Sequence, residues 1–414
     1  MRIELINTGT ELLLGSTVNT HLSWLGQQLL ALGLRIGRQT AIPDGDVIRE
    51  ALAETVGRAD AVIVTGGLGP TSDDITREIA ADWLGIPLEC DEAVTAHIAA
   101  YMAERGRPLN EPSRRQAMVP RGAEVLANPQ GTAPGLYLPP LPVPGRGQSS
   151  PHLFLLPGPP RELMPMVRDH LLPRLAAMAP PAPAMRNFHL SGLGETQVAE
   201  ALEAELTALG IPEIGYCARP GEVVLRVFGS PAQLAAAETM VAATFPQHFF
   251  SSSDETMEET VVGLLAKLGQ CVALAESCTG GFVAHRITSV PGASRVLGRG
   301  YVTYANEAKS EMLGVPPETI ATHGAVSAET AAAMATGCLT ASRADHALSL
   351  TGIAGPDGGT AEKPVGTVFI GLASRGAAEP LVQRFQYRVD RTTFKQMASQ
   401  AALDLLRRRL IRMI

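Results

Sequence analysis

QCVALAESCTGGFVAHRIT, residues 270–288, runs from apolar β-type residues through a glycine pair into an amphipathic stretch. That succession is a buried strand, a tight turn and a helix, the repeating unit of an α/β fold. The turn itself, AESCTGG at 275–281, sets Ser277, Cys278 and Thr279 side by side in front of the helix, three candidate nucleophiles.

The same alternation extends outward. From about residue 254 the patterns give the helix DETMEETVVGLLAKLG, the strand CVALAES, the strand YVTYA, the helix NEAKSEMLG and an Ala-rich helix near 327–342. The strands HALSLTG, VGTVFIGLAS and LVQRFQYRV and a final helix from Thr392 follow. Towards the N-terminus, RIELINTG and DAVIVTGG read as strands, and THLSWLGQQLLALG and DVIREALAETVGR as helices, the latter with Asp46 as N-cap. Between the two regions, 187–248 offers FHLSGLGE, two helices and the strand EVVLRVFG. A chain of 414 residues exceeds what one core serves. The expected fold class is therefore α/β, with α/β domains at 1–177 and 254–414 joined by a small α+β domain at 187–250. MAPPAPAMRN, 178–187, reads as a linker, and the Pro/Gly-rich 139–150 as an exposed loop insertion.

Composition excludes several classes. A net charge of -7 and 4% aromatic residues argue against a direct nucleic-acid binder, and RRRLIR at 407–412 suits the negative end of a helix. No apolar run is long enough for a bilayer, and MRIELINTGTELLLG lacks the pattern of a signal peptide, so a cytoplasmic location is expected. Cysteines at 90, 217, 271, 278 and 338 form no CxxC pair, which indicates neither a disulfide framework nor a zinc site.

Two regions carry chemistry. VTGGLGPTSDDITREIA, 64–80, joins a strand to a helix through Gly66, Gly67 and Gly69, whose backbones can approach an anion at the helix start. It has neither the lysine of a P-loop nor the spacing of a dinucleotide fingerprint. Asp73 and Asp74 suit a divalent metal held against a pyrophosphate, or one of them caps the helix. In the C-terminal region Cys278 is either a nucleophile or a small buried hydrophobe, and no histidine offers itself as its base. PGASRVLGRGYVTYANEAKSEMLG, 291–314, has Ser294 in a Pro-Gly turn, Tyr304 at a strand end and Lys309 in the first turn of a helix capped by Asn306. Serine with lysine is an acyl-transfer pair. TGIAGPDGG, 351–359, is a second glycine loop able to wrap a ribose phosphate, with hydroxyls from Thr351 and Thr367.

TGTELLLG, TGGLGPTSDDIT, NPQGTAPG and LPGPPRELMPM together resemble the N-terminal half of the CinA (competence/damage-inducible protein A) family, related to MoaB/MogA-type molybdopterin-binding domains. AESCTGG, GxVTYANEAKxxxLGV and TGIAGPDGGTAEKPVGTV resemble its C-terminal domain, which also occurs alone as the PncC nicotinamide-mononucleotide (NMN) amidohydrolase. The resemblance implies a metal-dependent ADP-ribose pyrophosphatase in the first domain, with Asp44 and Asp74 in its site; Asp74 and Asp73 are the expected metal ligands. For the last domain it implies an NMN deamidase without a cofactor. There Ser294 would be the nucleophile, Lys309 its base, Tyr304 an assistant and Ser277 a support. Thr279, Gly280 and Gly281 would then present backbone N–H groups to an oxyanion or a phosphate, and Thr351, Gly352, Gly355, Pro356 and Thr367 would contact substrate. The resemblance also implies a homodimer. Two rival readings are an N-terminal domain that only binds a pterin or nucleotide, and an interaction factor in competence or the DNA-damage response.

Overall fold

The computed structural model describes residues 1–179 and 183–413. It divides into two compact units, Met1–Pro183 and Ala184–Ile414.

The first unit is built on a six-stranded sheet in the order Ile36–Ile42, Ile3–Thr8, Ala61–Thr65, His152–Leu156, Gly135–Leu138, Glu124–Leu126. Its first four strands are parallel and its last two antiparallel. Ile3–Thr8 and Ala61–Thr65 are buried along their whole length, as interior strands of a parallel sheet covered on both faces must be. Alternation sends Val62 and Val64 into one core, and Ala61 and Ile63 into the other. The carboxyl ends of the four parallel strands, Ile42, Thr8, Thr65 and Leu156, lie along one edge, where open α/β sheets bind ligands. The 139–150 segment is largely exposed, as its composition suggests, and is tied down at two points. Pro142 bridges to Ser149, and Val143 is drawn into the core beside Leu141.

The second unit opens with a four-stranded antiparallel sheet in the order Glu213–Arg219, Glu222–Gly229, Ala184–Ser191, Phe249–Ser251. Helices Glu195–Ala208 and Pro231–Thr244 share one core with Phe188, Leu190, Val223, Leu225 and Val227. A chain order of strand, helix, strand, strand, helix, strand in this arrangement is ferredoxin-like. The expected linker at 178–187 is cut short, because residues from Ala184 already form the first strand; 180–182 lie outside the described residues.

The remaining residues form a five-stranded sheet in the order Leu297–Val302, Val272–Glu276, His346–Gly352, Thr367–Ser374, Leu381–Gln386. Its first three strands are parallel. The turn after Val272–Glu276 is fixed from inside, since the buried Glu276 carboxylate accepts from the backbone N–H groups of Val283 (3.0 Å) and Ala284 (2.9 Å) in the helix Phe282–Thr288. Ionic acceptors on a helix start are strong contacts. At the far end of the last helix, Arg391–Ile411, the basic cluster is structural. Arg407 is buried, donates to Asp404 (2.8 Å) and reaches the carbonyls of Phe249 and Gln247 in the ferredoxin-like domain. All five cysteines are free, and no helix among the described residues is long and apolar enough to cross a membrane.

The helix Asn306–Leu313, which carries Lys309, rests on the helix Ala328–Ser342 at a glycine. A Cβ on Gly337 would lie 1.8 Å from the Leu313 carbonyl oxygen. Alanine normally stabilises a helix by about 1 kcal/mol over glycine, whereas overpacking costs about 1–3 kcal/mol. Gly337→Ala should therefore lower the thermal unfolding midpoint of this unit, and a higher midpoint would show that the two helices are free to separate.

Candidate active sites

In the second unit, the carboxyl ends of the three parallel strands converge. Ser277 follows Val272–Glu276, Tyr304 follows Leu297–Val302, and Thr351 and Gly352 end the strand His346–Gly352. They line a cavity of about 180 Å³ together with Cys278, Asn306, Lys309, Val326, Ala354 and Arg391. Lys309 is 1% exposed. Its Nζ donates to the carbonyls of Thr303 (2.9 Å), Tyr304 (3.3 Å) and Ala305 (3.4 Å), and lies 3.2 Å from Ser277 Oγ. Burial pushes the Lys309 amine below the ordinary lysine range. In its neutral form the amine can accept the Ser277 hydroxyl proton across the same contact.

Ser294 is not brought to this pair. It sits exposed in a short turn, Ala293–Arg295, before the amino end of the strand Leu297–Val302, while Lys309 lies beyond the carboxyl end. Six extended residues span about 20 Å. The serine–lysine pair that the structure forms is Ser277–Lys309. Cys278 lines the cavity but belongs to the hydrophobic core, and burial pushes its thiol up to about 12, far from a thiolate at neutral pH.

The other expected contacts divide. Gly280 has its N–H bound to the Ser277 carbonyl (3.1 Å), and Thr279, Gly280 and Gly281 do not line the cavity. Thr351 and Gly352 line it, whereas Gly355, Pro356 and Thr367 do not. Thr367 is buried with its hydroxyl on Pro364 O and Gln386 Oε1. Asn306 is the first residue of its helix rather than the cap, and it lines the cavity. Sequence reading missed Arg391, which stands 87 residues from Tyr304 and donates to its hydroxyl (3.0 Å) and to Gly355 O (3.0 Å). Its one signal is a cation just inside a helix start, where the dipole does not favour it.

The first unit holds a cavity of about 540 Å³ at the carboxyl edge of its sheet, lined by Thr8, Asp44, Gly66, Gly67, Gly69, Asp73, Asp74, His21, Gln116 and Glu162 among others. The glycines are required by close approach. A Cβ would come within 2.4 Å of Thr8 O at Gly66, 2.1 Å of Thr76 Oγ1 at Gly67 and 2.4 Å of Asp74 Oδ2 at Gly69, and Gly66 and Gly67 have φ of 108° and 66°. Neither Asp73 nor Asp74 caps the helix Thr76–Leu84, which has no side-chain cap. Asp74 instead accepts from the N–H (2.9 Å) and hydroxyl (2.5 Å) of Thr71, and Asp44 from Thr10 N–H (3.1 Å). His21 is bound to Thr65 Oγ1 (2.9 Å), and burial lowers its pKa, so it adds no charge. Among the described residues no group of three or more His, Cys, Asp or Glu is placed to hold a metal by itself. Carboxylates and hydroxyls suit a hard cation that takes its other ligands from phosphate and water.

An α/β protein with a glycine–aspartate cavity in one unit, a serine–lysine cavity in the other and a ferredoxin-like domain in its chain is a defined class. Family models match it in three parts: "Probable molybdopterin binding domain" at 4–177, "Damage-inducible protein CinA KH domain" at 185–247 and "CinA C-terminal domain" at 254–410. The chain is 48% identical over 404 residues to a CinA-like protein of Akkermansia muciniphila, covering 97% of this chain and 96% of that one. It is 41% identical over 417 residues to a CinA-like protein of Citrifermentans bemidjiense, covering 99% and 98%. The solved competence/damage inducible protein CihA from Agrobacterium tumefaciens is 44% identical, covering 36% of this chain and 91% of that chain, with a TM-score of 0.36. The chain belongs to the CinA family.

The buried amine makes stability depend on pH. Between the lowered Lys309 pKa and the ordinary 10.5, the unfolded chain binds more protons than the folded one, so stability rises with pH across that window. Lys309→Met lacks this rise. Urea unfolding of both proteins from about pH 8 to 11 should show wild type gaining on the variant as pH increases; a constant difference would mean that the amine is not desolvated.

Proposed function

We propose that the second unit is an amidohydrolase acting on the carboxamide of NMN, giving nicotinate mononucleotide and ammonia. The observation that carries this is the buried Ser277–Lys309 pair lining a small polar cavity. Neutral Lys309 takes the Ser277 proton as Oγ attacks the carboxamide carbon. The Lys309 ammonium then protonates the departing nitrogen, ammonia leaves, and an ester remains on Ser277. Water, deprotonated by Lys309, hydrolyses that ester and restores the serine. Tyr304 and Arg391 form the cavity wall where a substrate phosphate would meet a cation.

Ammonia release from NMN tests the assignment. Ser277→Ala and Lys309→Met should lose about 10³-fold or more in kcat/KM, while Ser294→Ala and Cys278→Ala stay near wild type. Activity that depends on Ser294 instead would return the nucleophile to the 291–295 turn.

For the first unit the reading is hydrolysis of ADP-ribose at its pyrophosphate. A divalent cation, when bound, supplies charge neutralisation of the pyrophosphate. Asp44 and Asp74 would hold it, with the exposed Asp73 at the rim, and the glycine loop would receive the phosphates. Asp44→Asn or removal of divalent metal with a chelator should abolish release of AMP from ADP-ribose without lowering ammonia release from NMN. Retention of a nucleotide without turnover, in the presence of metal, would favour a binding module.

A nucleic-acid role gains no support. Residues 185–247 contain three arginines, no lysine and seven glutamates, and Arg407 of the basic cluster is buried. The partners proposed are the two nucleotides and, from the family resemblance, a second copy of the chain; a cytoplasmic setting rests on the sequence alone.

A further inference from the structure

The cavity of the first unit contains a polar group to which no role has been given. Gln116 is 1% exposed and follows the short helix Glu111–Arg115. Its amide nitrogen donates to the carbonyl of Leu68 (3.2 Å), the residue between Gly67 and Gly69. That bond fixes which way the amide faces. Oε1 is therefore left as an acceptor, buried and without a hydrogen-bond partner, in a residue that lines the cavity beside the glycine loop. Two more buried oxygens without partners surround the same loop: Thr8 Oγ1, 2.6 Å from where a Gly66 Cβ would stand, and Thr76 Oγ1, 2.1 Å from the Gly67 position.

These atoms differ in what they can bind. A threonine hydroxyl can donate to a phosphate oxygen, whereas an amide oxygen only accepts and would repel one. Oε1 thus calls for a hydrogen donor next to the phosphate position. Carboxylates would accept as well, but they would add negative charge against a pyrophosphate. A neutral acceptor is suited to holding water there, as in other phosphoryl-transfer sites where a glutamine orients the nucleophile.

We propose that Gln116 Oε1 orients the water that attacks phosphorus in the first unit, an inference that rests on the pyrophosphatase reading. The water oxygen forms the new P–O bond. The bridging P–O bond breaks with its electron pair on the leaving phosphate, and the water protons pass to solvent as the two monoesters ionise. Gln116 accepts a hydrogen bond throughout and takes no proton.

The test uses the full chain with ADP-ribose and magnesium. Gln116→Leu should lower kcat at least about tenfold with KM within about twofold, the signature of an interaction made only in the transition state. Gln116→Glu gives a second readout. Protonated, its O–H replaces the amide donor to Leu68 and its carbonyl oxygen replaces Oε1; ionised, it repels both Leu68 O and the phosphate. Its kcat should therefore fall as pH rises through the glutamate range, while wild type does not follow that profile. Thermal unfolding at each pH checks that the variants are folded. Unchanged kcat in Gln116→Leu, or a raised KM with kcat kept, overturns the proposal and leaves the pyrophosphatase standing, the second result assigning Oε1 to a ribose hydroxyl or base amine. Absence of hydrolysis by wild type overturns both.

Discussion

A lysine amine withdrawn from water must be ringed by oxygens, and the second unit is organised around meeting that demand at Lys309. Three consecutive carbonyls, Thr303 to Ala305, turn inward to it, and Ser277 Oγ completes the ring. The ring forms only if the strand Leu297–Val302 ends where it does and the next helix begins at once. It also requires that helix to lie low on its neighbour, which the missing side chain of Gly337 allows. Desolvation of the same amine lowers its pKa and makes it usable as a base. Structural cost and chemical capacity thus arise from one burial.

The order of strands and helices was legible because the periods differ: continuous apolar runs for Ala61–Thr65 and Val272–Glu276, helical spacing for His21–Leu30. Lys309 at a helix start and the glycines of the first cavity were legible for the same local reasons. The resemblance points to Ser294 as nucleophile, whereas the structure sets Ser277 beside Lys309, and local reading alone does not separate the two. Both serines sit in turns near glycines, and only the direction of the parallel strands separates them. Ser277 follows a strand and Ser294 precedes one, so the rule that ligand sites gather at carboxyl ends favours the first. Arg391 and Gln116 had no comparable mark, since each reaches its cavity through contacts with distant segments.

In the first unit, the glycine loop and the aspartates hold each other in place. Asp74 clasps Thr71 while its carboxylate occupies the space that a side chain at Gly69 would need. Substituting the glycine would displace the carboxylate, so loop shape and charge placement cannot be varied independently. That explains why a loop with neither a lysine nor a dinucleotide spacing still forms a defined cavity.

The helix Arg391–Ile411 has its own consequence. It is 21 residues long, about 30 Å. Arg391 stands at the serine–lysine cavity, and Arg407, near the other end, grips carbonyls of the ferredoxin-like domain. The helix is therefore a lever: a tilt of about 2° at the gripped end swings the opposite tip by about 1 Å. A displacement of that size is comparable to the slack in a hydrogen bond, so the contacts of the guanidinium with Tyr304 and Gly355 and the grip of Arg407 on the small domain are set by the placement of one rigid rod.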